Sequence, residues 1–293
     1  MKKFFENINI IMELAKIRIT SFVGLSTFVG YVLYSKSLSA KMILPIIGVF
    51  ILSCGSSALN HYQERYADSL MDRTKGRPIP SGRISAKNAL IISLLMITIA
   101  LPLIYFSSNF ISLVLSILAL IWYNFVYTPL KKKFAMAVVP GSLIGALPPM
   151  IGYTAAGGSP FDYQILLLSM FFFIWQIPHF WLLLLIFNND YEKANYPTLT
   201  KIFSNQQLSR ITFIWITSLS LCSFLFFGFD DSYNIFSVVA IIIFSLWLIF
   251  ESRKIITKYI EKSIIRKAFI DVNLYVLAVI IIISIDKLFL SEI

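Results

Sequence analysis

Asn60, Glu64 and Asp68 sit at the polar end of an apolar run, four residues apart. On a continuing helix that spacing stacks them on one face. Two carboxylates and an amide carbonyl make a hard oxygen site, the kind that holds Mg²⁺ together with waters and a substrate's phosphate oxygens. Spacing alone leaves a second reading open, a solvated helix end with scattered charge.

The residues that follow favour the metal reading. Asp72-Arg-Thr-Lys-Gly-Arg77-Pro-Ile-Pro-Ser-Gly82-Arg places Arg73, Lys75 and Arg77 next to the acids, with Pro78, Pro80 and Gly82 forcing a turn. Acids for a divalent cation beside bases for phosphate oxygens suit a diphosphate leaving group. Lys131, in a three-lysine run after Tyr127-Thr-Pro-Leu130, would add a further phosphate contact, or anchor a membrane boundary. Asp190, in Asn188-Asn-Asp-Tyr-Glu192, is placed to complete the metal set, although this stretch also reads as a solvated loop. Inside an otherwise apolar run lies Trp175-Gln-Ile-Pro-His179-Phe-Trp181. Gln176 and His179 are costly in lipid unless they face a bundle interior, either towards a substrate or as a helix–helix hydrogen bond at a proline kink. Gly141 to Tyr153, with Gly145, Pro148 and Pro149, reads as a close-packing segment.

The elements that must position these groups are membrane helices. Of 293 residues, 58% are hydrophobic and 14% charged, against roughly 25% charged in a soluble domain. Nine stretches are long enough to cross a ~30 Å hydrocarbon core as helices: 19–34, 42–59, 89–106, 110–127, 135–156, 163–187, 211–229, 233–250 and 269–289. Their continuity argues for an all-α polytopic bundle and against a barrel. Residues 1–293 are read as a single transmembrane domain, with a polar start at 1–18 and no cleavable signal peptide. Cys54 and Cys222 lie in apolar runs and suggest no disulfide or metal site.

Of the 25 Lys and Arg, 22 fall before the first span or in connections after even-numbered spans; only Lys36, Lys41 and Lys287 fall on the other side. This bias puts the N-terminus in the cytoplasm and the C-terminus outside, in a cell (inner) membrane. The net charge of +10 is then a topology signal and an attraction to lipid headgroups, with no nucleic-acid partner implied. The two longest polar connections, 60–88 and 188–210, lie on the cytoplasmic side, where the acids and bases gather.

Taken together, Asn60 to Gly82, Tyr127 to Lys132, Gly145 to Gly158 and Trp175 to Tyr191 resemble the heme-farnesylating (protoheme IX farnesyltransferase, or heme O synthase) branch of the UbiA prenyltransferase superfamily. The resemblance covers nearly the whole chain; Met71 to Pro78 and Trp175 to Trp181 are the branch-specific runs. It implies a UbiA-like fold, farnesyl diphosphate and heme B as substrates, Mg²⁺ as cofactor, and transfer of farnesyl to the heme 2-vinyl group with water addition. It also implies Asn60, Glu64, Asp68 and Asp190 as the catalytic metal set, and Arg73, Lys75, Arg77 and Lys131 as diphosphate contacts. Tyr127, Gln176 and His179 become substrate contacts, and a downstream heme A synthase or terminal oxidase assembly becomes a partner. The chain departs from the branch pattern at Glu64 and Tyr66, where Asp is usual, and at Asn188 or Asn189, where a basic residue is common. The alternatives are a UbiA-type enzyme acting on a quinone precursor, and a heme or isoprenoid carrier. A carrier would place its polar groups and helix breaks near the bilayer midplane rather than at one face.

Overall fold

The computed structural model describes residues 2–228, 232–258 and 261–290, and is helical with no strand among them. Among the described residues, an N-terminal helix α1 (Lys2–Ala15) precedes nine helices long and apolar enough to cross a membrane. These are α2 (Ile17–Ser35), α3 (Ala40–Leu70), α4 (Ala86–Ser107), α5 (Phe110–Leu130), α6 (Val138–Ala155) and α7 (Tyr163–Ile186), then, after a short α8 (Asn188–Lys193), α9 (Asn205–Gly228), α10 (Ile235–Thr257) and α11 (Lys262–Phe289). The nine expected spans coincide with these helices, and the expected end of the seventh, at residue 229, lies outside the described residues.

The helix starts follow local chemistry. Ser85 accepts a hydrogen bond from the Asn88 N–H (3.1 Å) to begin α4, and Asn109 accepts one from the Ser112 N–H (2.9 Å) to begin α5. Ser204 and Gln207 form a reciprocal capping box at α9. Between α3 and α4, Pro78, Pro80 and Gly82 break the helix, and Gly82 takes a left-handed φ of 74° that suits a residue without a Cβ.

Two boundaries differ from the sequence reading. α1 is an amphipathic helix rather than a polar leader, because Ile10, Leu14 and Ala15 pack inward while Glu6, Asn7 and Glu13 stay exposed. α3 continues about three turns beyond its apolar run at 42–59, which makes the helix longer than the expected span and keeps the stacked acids on it, as their spacing implies. α7 runs through Pro178 as one helix, as the single expected span over 163–187 has it.

The core is built by α7, which packs on α6, α9 and α11, with α2 lying along α6 and α3 along α4. Phe171, Phe172, Trp181, Val272 and Tyr275 are buried there. Outward residues such as Phe106, Phe236 and Leu246 are exposed, as suits a bundle solvated by lipid. α2 and α6 cross at glycine contacts: Gly30 lies against the Pro149 backbone and Gly152 against the Thr27 backbone.

Candidate active site

One large cavity, about 460 Å³, lies within the bundle. Lys16, Asn60, Glu64, Asp68, Arg73, Arg77 and Lys131 line its polar end; Phe22, Phe172, Trp175, Gln176, His179 and Phe180 line its aromatic end.

α3 carries the three oxygen-bearing side chains on one buried face, with Asn60 1%, Glu64 6% and Asp68 3% exposed. Buried charge requires partners, and each carboxylate has one. Lys131 donates to Glu64 Oε2 (2.7 Å), and Tyr196 donates to Glu64 Oε1 (2.9 Å). Arg77 Nη1 donates to both oxygens of Asp68 at 2.8 Å. Asn60 accepts from Lys16 Nζ (3.0 Å) and donates to Thr128 Oγ1 (3.1 Å). Paired carboxylates buried beside an amide oxygen are a donor set that fits Mg²⁺.

The lysines of this end are tuned by burial and by each other. Desolvation pulls the Lys16 ammonium down to about 7, and the nearby Arg77 guanidinium acts in the same sense. Desolvation, the largest single influence on Lys131, opposes its charge, but the Glu64 carboxylate and the nearby Tyr127, Tyr123 and Tyr191 together outweigh it and hold that ammonium above the ordinary lysine range. The half-buried Lys16, Arg77 and Lys131 outnumber the two buried carboxylates beside them, and such a cluster is a receptor for a polyanion.

Two expected residues take other places. Lys75 is exposed, pairs with Asp72 (2.9 Å) and does not line the cavity, because the turn after α3 points it to solvent. Asp190 does not line the cavity either. Its Oδ1 accepts the Asp72 N–H (3.3 Å) and its Oδ2 the Arg73 N–H (3.0 Å), so it organises the turn that carries Arg73. Lys193 reinforces the same junction through Asp72, whose carboxyl is held down to about 2 by hydrogen bonds from Lys193 and Lys75. Among the described residues no three His, Cys, Asp or Glu side chains are grouped so that they alone could hold a metal ion.

The expected substrate contacts Tyr127, Gln176 and His179 all line the cavity. Tyr127 stacks with Tyr123 at 6.2 Å, in a π-helical turn spanning Trp122–Tyr127 of α5. Asn124 of that turn donates to the Ser56 carbonyl (3.0 Å), fastening α5 beside the acid-bearing part of α3. Gln176 reaches past Gly145, where a Cβ would come within 2.5 Å of its Cγ. Trp175 Nε1 and Gln176 Oε1 are buried with no hydrogen-bond partner among the described residues, which leaves polar valence next to the cavity.

Sequence reasoning missed Lys16, Tyr196 and Asn273 as cavity residues. In the sequence Lys16 is one of the 22 charges that set the topology, with nothing in its neighbours to place it in a site. Its left-handed backbone (φ 48°) separates α1 from α2, and its Nζ reaches Asn60 on α3.

Residues 23–273 match the UbiA prenyltransferase family. The chain is 41% identical over 177 residues to a protoheme IX farnesyltransferase of Geobacter sulfurreducens, a match covering 60% of this chain and 65% of that relative. It is 36% identical to the Cytophaga hutchinsonii protein of the same name (62% of this chain, 64% of the relative), and 31% identical to that of Nitratidesulfovibrio vulgaris (68% and 69%). The chain thus spans just under two thirds of the length of the first two of these relatives. In structure it is similar to a digeranylgeranylglyceryl phosphate synthase, with a TM-score of 0.78 at 15% identity, covering 97% of this chain and 99% of the other. It is also similar to a UbiA homolog from Archaeoglobus fulgidus bound to GPP and Mg²⁺, with a TM-score of 0.67 at 16% identity, covering 94% and 99%.

Proposed function

Because this chain belongs to the UbiA prenyltransferase family, we propose that it transfers a farnesyl group from farnesyl diphosphate to the 2-vinyl group of heme B, releasing diphosphate and giving heme O. The observation that carries this reading is the single cavity that joins a buried acid-and-base end to an aromatic end holding His179. The relatives named protoheme IX farnesyltransferase support the acceptor. The A. fulgidus homolog with GPP and Mg²⁺ supports a metal-assisted prenyl diphosphate site.

Asn60, Glu64 and Asp68 would hold Mg²⁺, which when bound supplies positive charge for the leaving diphosphate. Lys16, Arg73, Arg77 and Lys131 bind its oxygens, and Arg77 and Lys131 turn from their carboxylates to do so. As the C1–O bond of the farnesyl donor breaks, its electron pair stays on diphosphate, and these cations stabilise the charge that develops. Tyr123, Tyr127 and the Phe172–Trp175 wall offer π faces to the allylic cation, and the buried cavity keeps water from it. The vinyl π electrons form the new bond to C1. The cation left beside the porphyrin takes up water and loses a proton. Asp190 acts through the Arg73 turn rather than as a ligand.

Purified protein incubated with heme B, farnesyl diphosphate and Mg²⁺ should yield a porphyrin heavier by one farnesyl group and one hydroxyl. No such product, with farnesyl transferred instead to an aromatic quinone precursor, would overturn the acceptor. The protein is multi-pass, and we place its polar connections in the cytoplasm from the Lys and Arg bias. Cysteines at Lys75 and Glu192, both exposed, should be labelled only from the cytoplasmic side, and one at Ser37 only from outside. The reverse pattern would invert the orientation.

A further inference from the structure

His179 Nδ1 lies 2.8 Å from Asn273 Oδ1, joining α7 to α11 at the aromatic end of the cavity. Which nitrogen of the imidazole carries the proton follows from the other half of the Asn273 amide. Its Nδ2 donates to the Phe269 carbonyl at 2.5 Å, one turn earlier on α11. A backbone carbonyl only accepts, so the NH₂ must face it; the reversed amide would set two oxygens against each other. Asn273 therefore presents oxygen to His179, and an amide oxygen only accepts. The hydrogen bond then requires a proton on His179 Nδ1, which leaves the lone pair of the neutral imidazole on Nε2.

The ring is also held in place. It packs against Trp175 (centroids 5.0 Å), Phe180 (5.3 Å) and Phe269 (4.9 Å). Both His179 and Asn273 line the cavity, and no hydrogen bond occupies Nε2 among the described residues. An imidazole fixed in one tautomer by an acceptor on its far nitrogen, with its lone pair left for a guest, is the arrangement that proteins use for metal ligation. The chain has only one other histidine, His61, which is buried and does not line the cavity.

We propose that His179 Nε2 is an axial ligand to the iron of the acceptor heme, and that Asn273 is a positioning residue that locks the ligating tautomer. The inference rests on the reading of heme as acceptor. Ligation would fix the porphyrin plane across α7, and so decide which edge of the macrocycle reaches the prenyl end of the cavity.

The test uses the full chain, purified in detergent and titrated with hemin. After reduction, resonance Raman reads the iron–histidine stretch. Wild type should show that band. His179→Ala should lose it and regain it with added imidazole. Asn273→Leu, which removes the acceptor, should weaken hemin binding by roughly 10–100-fold, the usual cost of losing a group that orients a metal ligand. Asn273→Asp keeps an acceptor at the same place; it should retain binding and raise the stretching frequency by strengthening the pull on the Nδ1 proton. A purely structural hydrogen bond would not move that frequency. Wild type that binds no hemin overturns both this inference and the acceptor reading. Hemin bound equally, and with the same band, by wild type and His179→Ala overturns the ligation alone. Unchanged affinity and frequency in both Asn273 variants overturns the positioning role.

Discussion

Lys131 Nζ lies 2.7 Å from Glu64 Oε2, tying the end of α5 to the acid-bearing face of α3. Both groups are largely buried, with 20% and 8% of their side-chain surface exposed. In the proposed reaction, this contact sets a metal-seeking oxygen and a phosphate-seeking cation against each other until a diphosphate and its metal part them.

The pairing separates stability from catalysis. Glu64→Gln and Lys131→Met each leave one buried charge uncompensated, which costs about 3–5 kcal/mol when a buried pair is broken on one side. The double variant removes both charges and should recover most of that loss in detergent unfolding. It should not recover turnover, because the carboxylate charge for the metal and the cation for the phosphate are both gone. Recovery of activity in the double variant would show that the pair serves the fold alone.

Asp190 makes a different demand. Its carboxylate accepts the N–H groups of Asp72 and Arg73, so Asp190→Ala should loosen the Arg73 turn and raise the KM for the prenyl diphosphate by about tenfold, the equivalent of roughly 1.4 kcal/mol of lost binding. The Mg²⁺ concentration for half-maximal rate should move little. Asp68→Asn, within the oxygen set, should shift that concentration strongly. Equal shifts in both variants would restore Asp190 to the metal.

How far the site is legible in the sequence depends on the range of its interactions. The stacking of Asn60, Glu64 and Asp68 is a property of one helix, so periodicity reveals it. The spans are equally local, since each needs only its own apolar length. Whether Lys75 or Arg77 faces the acids depends instead on the turn angle after Met71, which residue type does not encode. Lys16, Tyr196 and Asn273 reach the cavity from elements 44, 132 and 94 residues away from their partners Asn60, Glu64 and His179. Each of those contacts is set by tertiary packing. Asp190 was legible as a polar residue near the site, but its role turns on two backbone N–H groups that no side-chain pattern displays.

The fastening of α1 is pH-sensitive. Arg83 donates to both oxygens of Glu13, and this hydrogen bonding, only partly offset by desolvation, holds the Glu13 carboxyl below its ordinary 4.5. A folded-state pKa below the unfolded one contributes stability that is complete above the unfolded value and lost as pH falls through the folded one. The Glu13–Arg83 contribution to the docking of α1 should therefore weaken below about pH 4.5 and stay constant from pH 6 to 8. Both side chains are more than a third exposed, so the effect should stay under about 1 kcal/mol. Hydrogen exchange of residues 5–15 against pH reads it, and Glu13→Gln should abolish the acid-dependent part.

Two glycines of α6 should respond in opposite ways to the same added methyl. At Gly152 a Cβ would fall on the Thr27 carbonyl, and that oxygen belongs to the backbone of α2. A helix backbone cannot step aside alone, so Gly152→Ala must part α2 from α6 along their whole crossing. The cost should reach or exceed the 1–3 kcal/mol typical of overpacking, read as a lower unfolding temperature with substrate binding lost in step. At Gly145 the added Cβ meets the side chain of Gln176, 2.5 Å from its Cγ. That chain can rotate into the cavity it already lines. Gly145→Ala should then keep most of the stability while Gln176 occupies space meant for a guest. Farnesyl diphosphate binding at the polar end should persist, and the KM for the acceptor should rise by about tenfold. If Gly145→Ala instead unfolds at the temperature of Gly152→Ala with both substrates still bound below it, Gln176 is a packing residue and the aromatic end of the cavity is not where the acceptor sits.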